Sequence, residues 1–298
     1  MTSRRSLWCA LLAAPLLLSC TSGSNAAPSL PASSGKATTT SVTTSTVPES
    51  TSSSTSSTTS STTTTAVTTT SSTTTSTTTP SPVIETRVIG HSVLGRDIVA
   101  YRLGSPGARP VLLVGVIHGN EAKGYEITQR IRAMPIPPGV DLWIIDSMNP
   151  DGQAAGTREN ANGVDLNRNV TYKWNYIPKS GPGTEYSGEA PADQPETQAL
   201  ESFVAEIKPQ ITIFWHQDAN RVSPGGARPE IPLKFASIVG LTTASTPCTA
   251  GCTGTATQYI NHAIKGGTAF IVELPGNDAV TPAMVALHAQ ATLDVITL

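Results

Sequence analysis

Pro110-Val111-Leu112-Leu113-Val114-Gly115-Val116-Ile117-His118-Gly119-Asn120-Glu121 is the stretch on which the reading of this chain turns. Its first half is a short apolar run of β-branched and leucine residues, the pattern of a strand buried on both faces. Its second half places His118 and Glu121 three residues apart where strand gives way to helix. An imidazole nitrogen and a carboxylate oxygen at that spacing can close on one divalent cation, and both are donors that zinc accepts. A core histidine satisfied by its neighbours is the plainer reading of His118 alone. A second apolar run, Ile211-Thr212-Ile213-Phe214-Trp215-His216, delivers another histidine at a strand's carboxyl end. His118, Glu121 and His216 together make a two-histidine, one-carboxylate set that leaves a fourth position open for water.

The same alternation continues around this centre. Val83–Val88 and Asp97–Leu103 read as a hairpin, Val140–Ile145 as a strand and Thr268–Glu273 as another. Helical spacing falls in Glu121–Arg132, Gln194–Glu206, Ile231–Gly240, Thr255–Ile264 and Pro282–Val295. Asn149-Pro150-Asp151-Gly152 reads as a turn, and Thr171–Pro195 as an irregular loop. Strands alternating with helices predict an α/β domain with a mixed, largely parallel sheet covered on both faces. Ligands of such sheets bind beyond the carboxyl ends of the strands, where His118, Asn149, His216 and Glu273 fall.

This domain spans residues 83–298, long enough for a sizeable core. Residues 21–82 are dominated by serine and threonine, with no aromatic residue and almost no charge. Such a segment buries too little apolar surface to offset the entropy of ordering, which predicts a disordered stalk. Residues 1–20 read as an export signal: Arg4 and Arg5, then the apolar Leu7–Leu18, too short to span a bilayer comfortably. Its end, Leu16-Leu17-Leu18-Ser19-Cys20, resembles a bacterial lipoprotein signal with Cys20 as the lipid-bearing residue, so membrane attachment through a lipid anchor facing outward is expected, with plain secretion or an uncleaved anchor as the alternatives. The net charge of −2 and the lack of any basic run exclude nucleic acid as a partner class. In an exported domain, Cys248 and Cys252 are candidates for a disulfide closing a small loop.

Three further clusters follow the first: Asn149-Pro150-Asp151-Gly152 with Arg158, then Asp165-Leu166-Asn167-Arg168-Asn169, then Ile271-Val272-Glu273-Leu274. Taken in order with His118-Gly119-Asn120-Glu121 and His216, they resemble the zinc carboxypeptidase superfamily of the pancreatic type, and most closely its small bacterial branch, which includes murein peptide amidases. The resemblance runs from about His91 to the C-terminus. It implies one Zn2+ per chain on His118, Glu121 and His216, with Asp165 orienting His118. It implies Glu273 as general base, Arg158 as the stabiliser of the developing oxyanion, and Asn167 and Arg168 as readers of a free terminal carboxylate. A peptide or muropeptide substrate follows. Two departures stand out. The family's mobile tyrosine falls near Thr249 or Ala250 and is absent, and the position that selects the terminal side chain falls near Thr257 or Gln258, both polar and uncharged. Two rivals are a zinc amidohydrolase of the aminoacylase or desuccinylase kind and a non-catalytic wall-binding lipoprotein. Tyr172, Trp174, Tyr176 and Tyr186 are expected either to floor the cleft or to pin the long loop, and His91, His262 and His288 to serve surface or packing roles.

Overall fold

The computed structural model describes residues 83–245 and 251–298. Cys20, Cys248, Thr249 and Ala250 lie outside the described residues, as do the signal and stalk segments. Eight strands form one sheet in the order β1-β2-β4-β3-β5-β8-β6-β7. They are β1 (Glu85–His91), β2 (Asp97–Gly104), β3 (Arg109–Val114), β4 (Val140–Ile145), β5 (Ile211–Gln217), β6 (Arg221–Ser223), β7 (Thr242–Thr243) and β8 (Thr268–Leu274). The central four, β4-β3-β5-β8, run parallel, while β1, β2 and β6 pair antiparallel with their inner neighbours.

The helices are α1 (Lys123–Arg132), α2 (Pro150–Ala155), α3 (Pro195–Ile207), α4 (Glu230–Val239), α5 (Ala256–Ala263) and α6 (Pro282–Val295). Their placement explains the apolar runs. Along β3, Val111 and Leu113 pack into a core with residues of α1, α4 and α6. The alternate residues, Leu112 and Val114, pack into a second core with residues of α3 and α5. A strand with period-two side chains and a core on each side must be apolar at nearly every position.

This arrangement also locates the crevice. From β3 the chain passes through α1 on one face to β4; from β4 it passes through α3 on the other face to β5, on the far side of β3. The strand order therefore reverses between β3 and β5, the topological switch point where open α/β sheets take ligands. His118 follows β3, and His216 is near the end of β5.

Two local readings are corrected. Asn149-Pro150-Asp151-Gly152 is the start of a helix, α2, rather than a free turn. Asn149 Oδ1 accepts from Gly152 N–H at 2.9 Å as an N-cap, and Pro150 occupies the first turn. The helix has only 6 residues and holds a glycine, so no helical periodicity develops. The short strands β6 and β7, of 3 and 2 residues, likewise escape a pattern-based reading because period two needs more length to register.

Candidate active site

Three buried side chains meet beyond β3 and β5. His118 is 1% exposed, Glu121 6% and His216 4%, and a ligand atom from each lies within 4.8 Å of the others. Glu121 Oε1 is 2.8 Å from His118 Nδ1, and Oε2 is 2.9 Å from His216 Nδ1. The two Nδ1 atoms are 3.2 Å apart. Two nitrogens bound to one tetrahedral zinc at about 2.0–2.1 Å would be separated by roughly 3.3 Å. Donor chemistry and spacing therefore both fit a single zinc ion.

The outer partners fix which atoms face inward. His118 Nε2 lies 3.0 Å from Asp165 Oδ1. An ionised carboxylate only accepts, so Nε2 carries the proton and Nδ1 presents its lone pair toward the site. Burial pushes the Asp165 carboxyl up, but His118 and the guanidinium groups of Arg158 and Arg168 outweigh that and hold it well below the usual carboxylate range. Asp165 also caps the turn Leu166–Arg168 by accepting from Asn167 N–H at 2.8 Å. Asp165 thus contacts both the His118 ring and the backbone of that turn. Glu121 follows the same balance: burial raises its pKa, and the two histidines lower it further than burial lifts it.

Arg158 is held by Asp165 through Nε at 3.0 Å and Nη2 at 2.9 Å, and its Nη1 reaches Glu121 Oε1 at 3.1 Å. Asn149 braces this segment: its Nδ2 donates to the carbonyls of Ile117 and Arg158 at 3.2 and 3.3 Å. Glu273 is 5% exposed on β8 and is the register partner of His216 on β5. Neighbouring strands in register project both side chains from the same side of the sheet.

A cavity of about 650 Å3 joins these groups; His118, Glu121, Arg158, Asn167, Arg168, His216 and Glu273 all line it. Asn167 Oδ1 accepts from Ala256 N–H at 3.0 Å, which fixes its amide against α5. Arg168 donates from Nη1 to the Asn167 carbonyl at 2.8 Å and from Nη2 to Glu185. Thr257 and Gln258 line the same cavity.

The aromatic residues of the long loop do not floor the cleft. None of Tyr172, Trp174, Tyr176 and Tyr186 is among the lining residues. Trp174 Nε1 donates to the Ser187 carbonyl at 3.0 Å, and Tyr172 stacks on His262, so they pin the loop. Cys252 is in a disulfide. Two residues at the site gave no signal in the sequence reading. Gln217 donates its backbone N–H to Glu121 Oε2 at 3.1 Å and accepts from Lys123 N–H through its side chain, also at 3.1 Å. Glu185 lines the cavity beside Arg168.

Residues 136–238 match the family model for zinc carboxypeptidases. Over that stretch the chain is similar to the zinc carboxypeptidases. The matched stretch contains Arg158, Asp165, Asn167, Arg168 and His216; His118, Glu121 and Glu273 lie outside it and join them through the fold. Murein peptide amidase A of Escherichia coli K12 is 31% identical over 116 residues, covering 35% of this chain and 48% of the relative. The chain thus spans about half the length of the curated relatives it first matches. Among solved structures, the murein-tripeptide amidase of Escherichia coli O157 superposes with a TM-score of 0.55 at 22% identity, over 69% of this chain and 91% of that one. Carboxypeptidase A of Helicoverpa armigera gives a TM-score of 0.58 at 19% identity, over 72% of this chain and 67% of that one. At these identities the superpositions establish the zinc carboxypeptidase fold.

Proposed function

We propose that this chain is a zinc-dependent exopeptidase that hydrolyses the last amide bond of a peptide ending in a free carboxylate, with wall-derived muropeptides as the substrate class. The observation that carries this reading is a zinc-compatible trio and a buried arginine lining one cavity at the switch point of the sheet. The murein peptide amidases among its relatives support the choice of peptide.

His118, Glu121 and His216 would hold the zinc ion, which supplies Lewis acidity toward water and toward the amide carbonyl. Glu273 takes a proton from the attacking water and returns it to the departing amine nitrogen, so the C–O bond forms and the C–N bond breaks with no net proton change. Arg158 offers N–H donors to the oxygen on which negative charge builds, from a guanidinium that Asp165 already holds in place. Arg168, with the Asn167 amide beside it, receives the terminal carboxylate.

The test is digestion of matched peptides with free and amidated C-termini, N-acyl amino acids and muropeptides, read by mass spectrometry. Release of the terminal residue only from free carboxylates is expected. Equal turnover of amidated peptides, or turnover of N-acyl amino acids instead, would replace this reading with the amidohydrolase one. A zinc-loaded protein that hydrolyses none of them would be a binding module.

We further propose that the domain is exported and tethered outside the membrane. The apolar N-terminal stretch, the Ser19-Cys20 end and the serine- and threonine-rich stalk support this. Metabolic labelling with a fatty acid in the native host should mark the wild type; equal labelling of Cys20→Ala would refute the lipid anchor. Among the described residues no helix is long and apolar enough to cross a membrane.

A further inference from the structure

Gln217 stands at the centre of the site, yet the chemistry proposed for the site does not use it. It follows His216 on β5 and lines the same cavity. Its backbone N–H donates to Glu121 Oε2 at 3.1 Å. Its side-chain Oε1 accepts from Lys123 N–H at 3.1 Å, and Nε2 donates to the Pro275 carbonyl at 2.9 Å. One residue next to a candidate zinc ligand thus bonds the segment that carries Glu121 and the segment that follows Glu273.

Each tie answers a local need. Lys123 opens α1, and the preceding Ala122 gives it no side-chain cap. A helix start leaves its first N–H groups without internal partners, and Gln217 supplies one acceptor from 94 residues along the chain. At the other end, the β5–β8 ladder finishes with the pair Gln217 and Leu274. Pro275 has no N–H and cannot continue the ladder. The Gln217 side chain carries the link one step further, to the Pro275 carbonyl. Glu273 lies just inside this end, and strand ends without such ties are the first to open.

The two side-chain partners make opposite demands. Lys123 N–H needs an acceptor, and the Pro275 carbonyl needs a donor. A carboxamide offers both on one planar group, whereas a carboxylate has no donor and a hydrocarbon has neither.

We infer that Gln217 is a positioning residue that holds Glu273 in place against the metal ligands, by tying the end of β8 to the start of α1. This rests on the reading of Glu273 as the base and of His118, Glu121 and His216 as zinc ligands. The bond to Glu121 comes from the backbone, so it survives loss of the Gln217 side chain. The ligand set therefore outlasts that loss, while the base shifts.

The experiment uses Gln217→Met, which matches the side chain in length without either hydrogen bond, and Gln217→Asn, which keeps the amide but is too short to reach both partners. Glu273→Gln and its combination with Gln217→Met complete the set. On zinc-loaded protein with a free-carboxylate peptide, Gln217→Met and Gln217→Asn should each lower kcat about 10- to 100-fold with KM near wild type, the scale of a small misplacement of a reacting group. In the Glu273→Gln background, Gln217→Met should lower kcat no further, because a base already removed cannot be misplaced. Zinc content after dialysis should stay at one per chain throughout. Loss of zinc, a further fall in the double variant, or wild-type kcat in Gln217→Asn overturns the inference.

A second readout needs no turnover. Azide binding to the cobalt-loaded proteins is followed by visible absorption. A carboxylate held beside the open metal position repels an entering anion, so Glu273→Gln should tighten azide about tenfold. Gln217→Met should recover much of that gain, and the double variant should add nothing beyond Glu273→Gln. Unchanged azide affinity in Gln217→Met overturns the inference even if kcat falls. A wild type that hydrolyses no peptide, with azide following the expected pattern, upholds the role of Gln217 and rejects the exopeptidase. Hydrolysis by the wild type with unchanged azide affinity in Gln217→Met does the reverse.

Discussion

The Nε2 proton of His118 is pinned to Asp165 Oδ1 across 3.0 Å, and this bond decides that Nδ1 is the nitrogen offered to a metal. A neutral imidazole has one donor and one acceptor nitrogen, so fixing one fixes the other. Asp165→Asn keeps the shape and an acceptor oxygen but loses the charge that raises the ligand's basicity. Zinc affinity, read by titration against a competing chelator, should fall about 10- to 100-fold. A circular dichroism spectrum and melting temperature close to wild type would confirm that the fold survives. Undiminished affinity would show that Asp165 serves only as the cap of the Leu166–Arg168 turn.

Glu273 sits opposite His216 in the β5–β8 register, within the same cavity but outside the group of converging ligand atoms. The placement separates proton transfer from metal retention. Glu273→Gln should lower kcat about 10²- to 10⁴-fold, the usual contribution of a positioned general base. Zinc content after dialysis should stay at one per chain, and KM should change little. Loss of the metal together with activity would instead make Glu273 part of the ligand set.

Much of this centre could be read before any coordinates because its residues ride on the most legible elements. β3 and β5 are central strands with a core on each face, so their apolar runs are nearly unbroken and their ends are easily located. His118 and His216 fall at those ends. The resemblance supplied roles, while the strand-end positions came from local pattern. What escaped reading depends on contacts distant in sequence or on very short elements. Gln217 reaches Glu121 across 96 residues, and Glu185 meets Arg168 across 17 residues of irregular loop. Neither pairing leaves a period. The helix at Asn149 is capped by a single side chain, and its apolar face is too short to repeat.

Gly119 shows how tightly the ligand loop is seated. A Cβ at this position would lie 1.9 Å from the carbonyl carbon of Gly152 and 2.2 Å from the nitrogen of Gln153. Both are backbone atoms of α2, so the clash cannot be relieved by turning a side chain. Gly119→Ala must push the His118–Glu121 segment away from α2, which Asn149 also ties to the Ile117 carbonyl. Stability should fall by about 1–3 kcal/mol, the usual cost of overpacking. Zinc affinity should fall as well, since both ligands of this segment move. Thermal melts with and without added zinc would check both effects, and a variant with wild-type values in each would show that the loop is free to shift.

His288 on α6 gives the fold a pH dependence of its own, remote from the metal ligands. It is 1% exposed, its ring packs edge-on against Phe235 of α4 at 5.7 Å, and its Nδ1 has no hydrogen-bond partner. Burial lowers its pKa from 6.5 to about 4. Above pH 6.5 the ring is neutral in both folded and unfolded chains, so it contributes no pH dependence. As pH falls from 6.5 toward 4, the unfolded chain takes up a proton that the folded chain refuses, and stability drops. Below about 4 both states are protonated and the loss levels off. At 1.36 kcal/mol per pKa unit the full loss is on the order of 3 kcal/mol. His288→Leu removes the titrating group while keeping an apolar side chain in the core. The difference in unfolding free energy between wild type and this variant, measured by urea denaturation at a series of pH values, cancels contributions from other groups. It should be flat above pH 6.5 and should shift in favour of the variant by that amount on the way to pH 4. A difference independent of pH would mean that the folded protein admits the proton, through water reaching Nδ1 or rotation of the ring toward solvent.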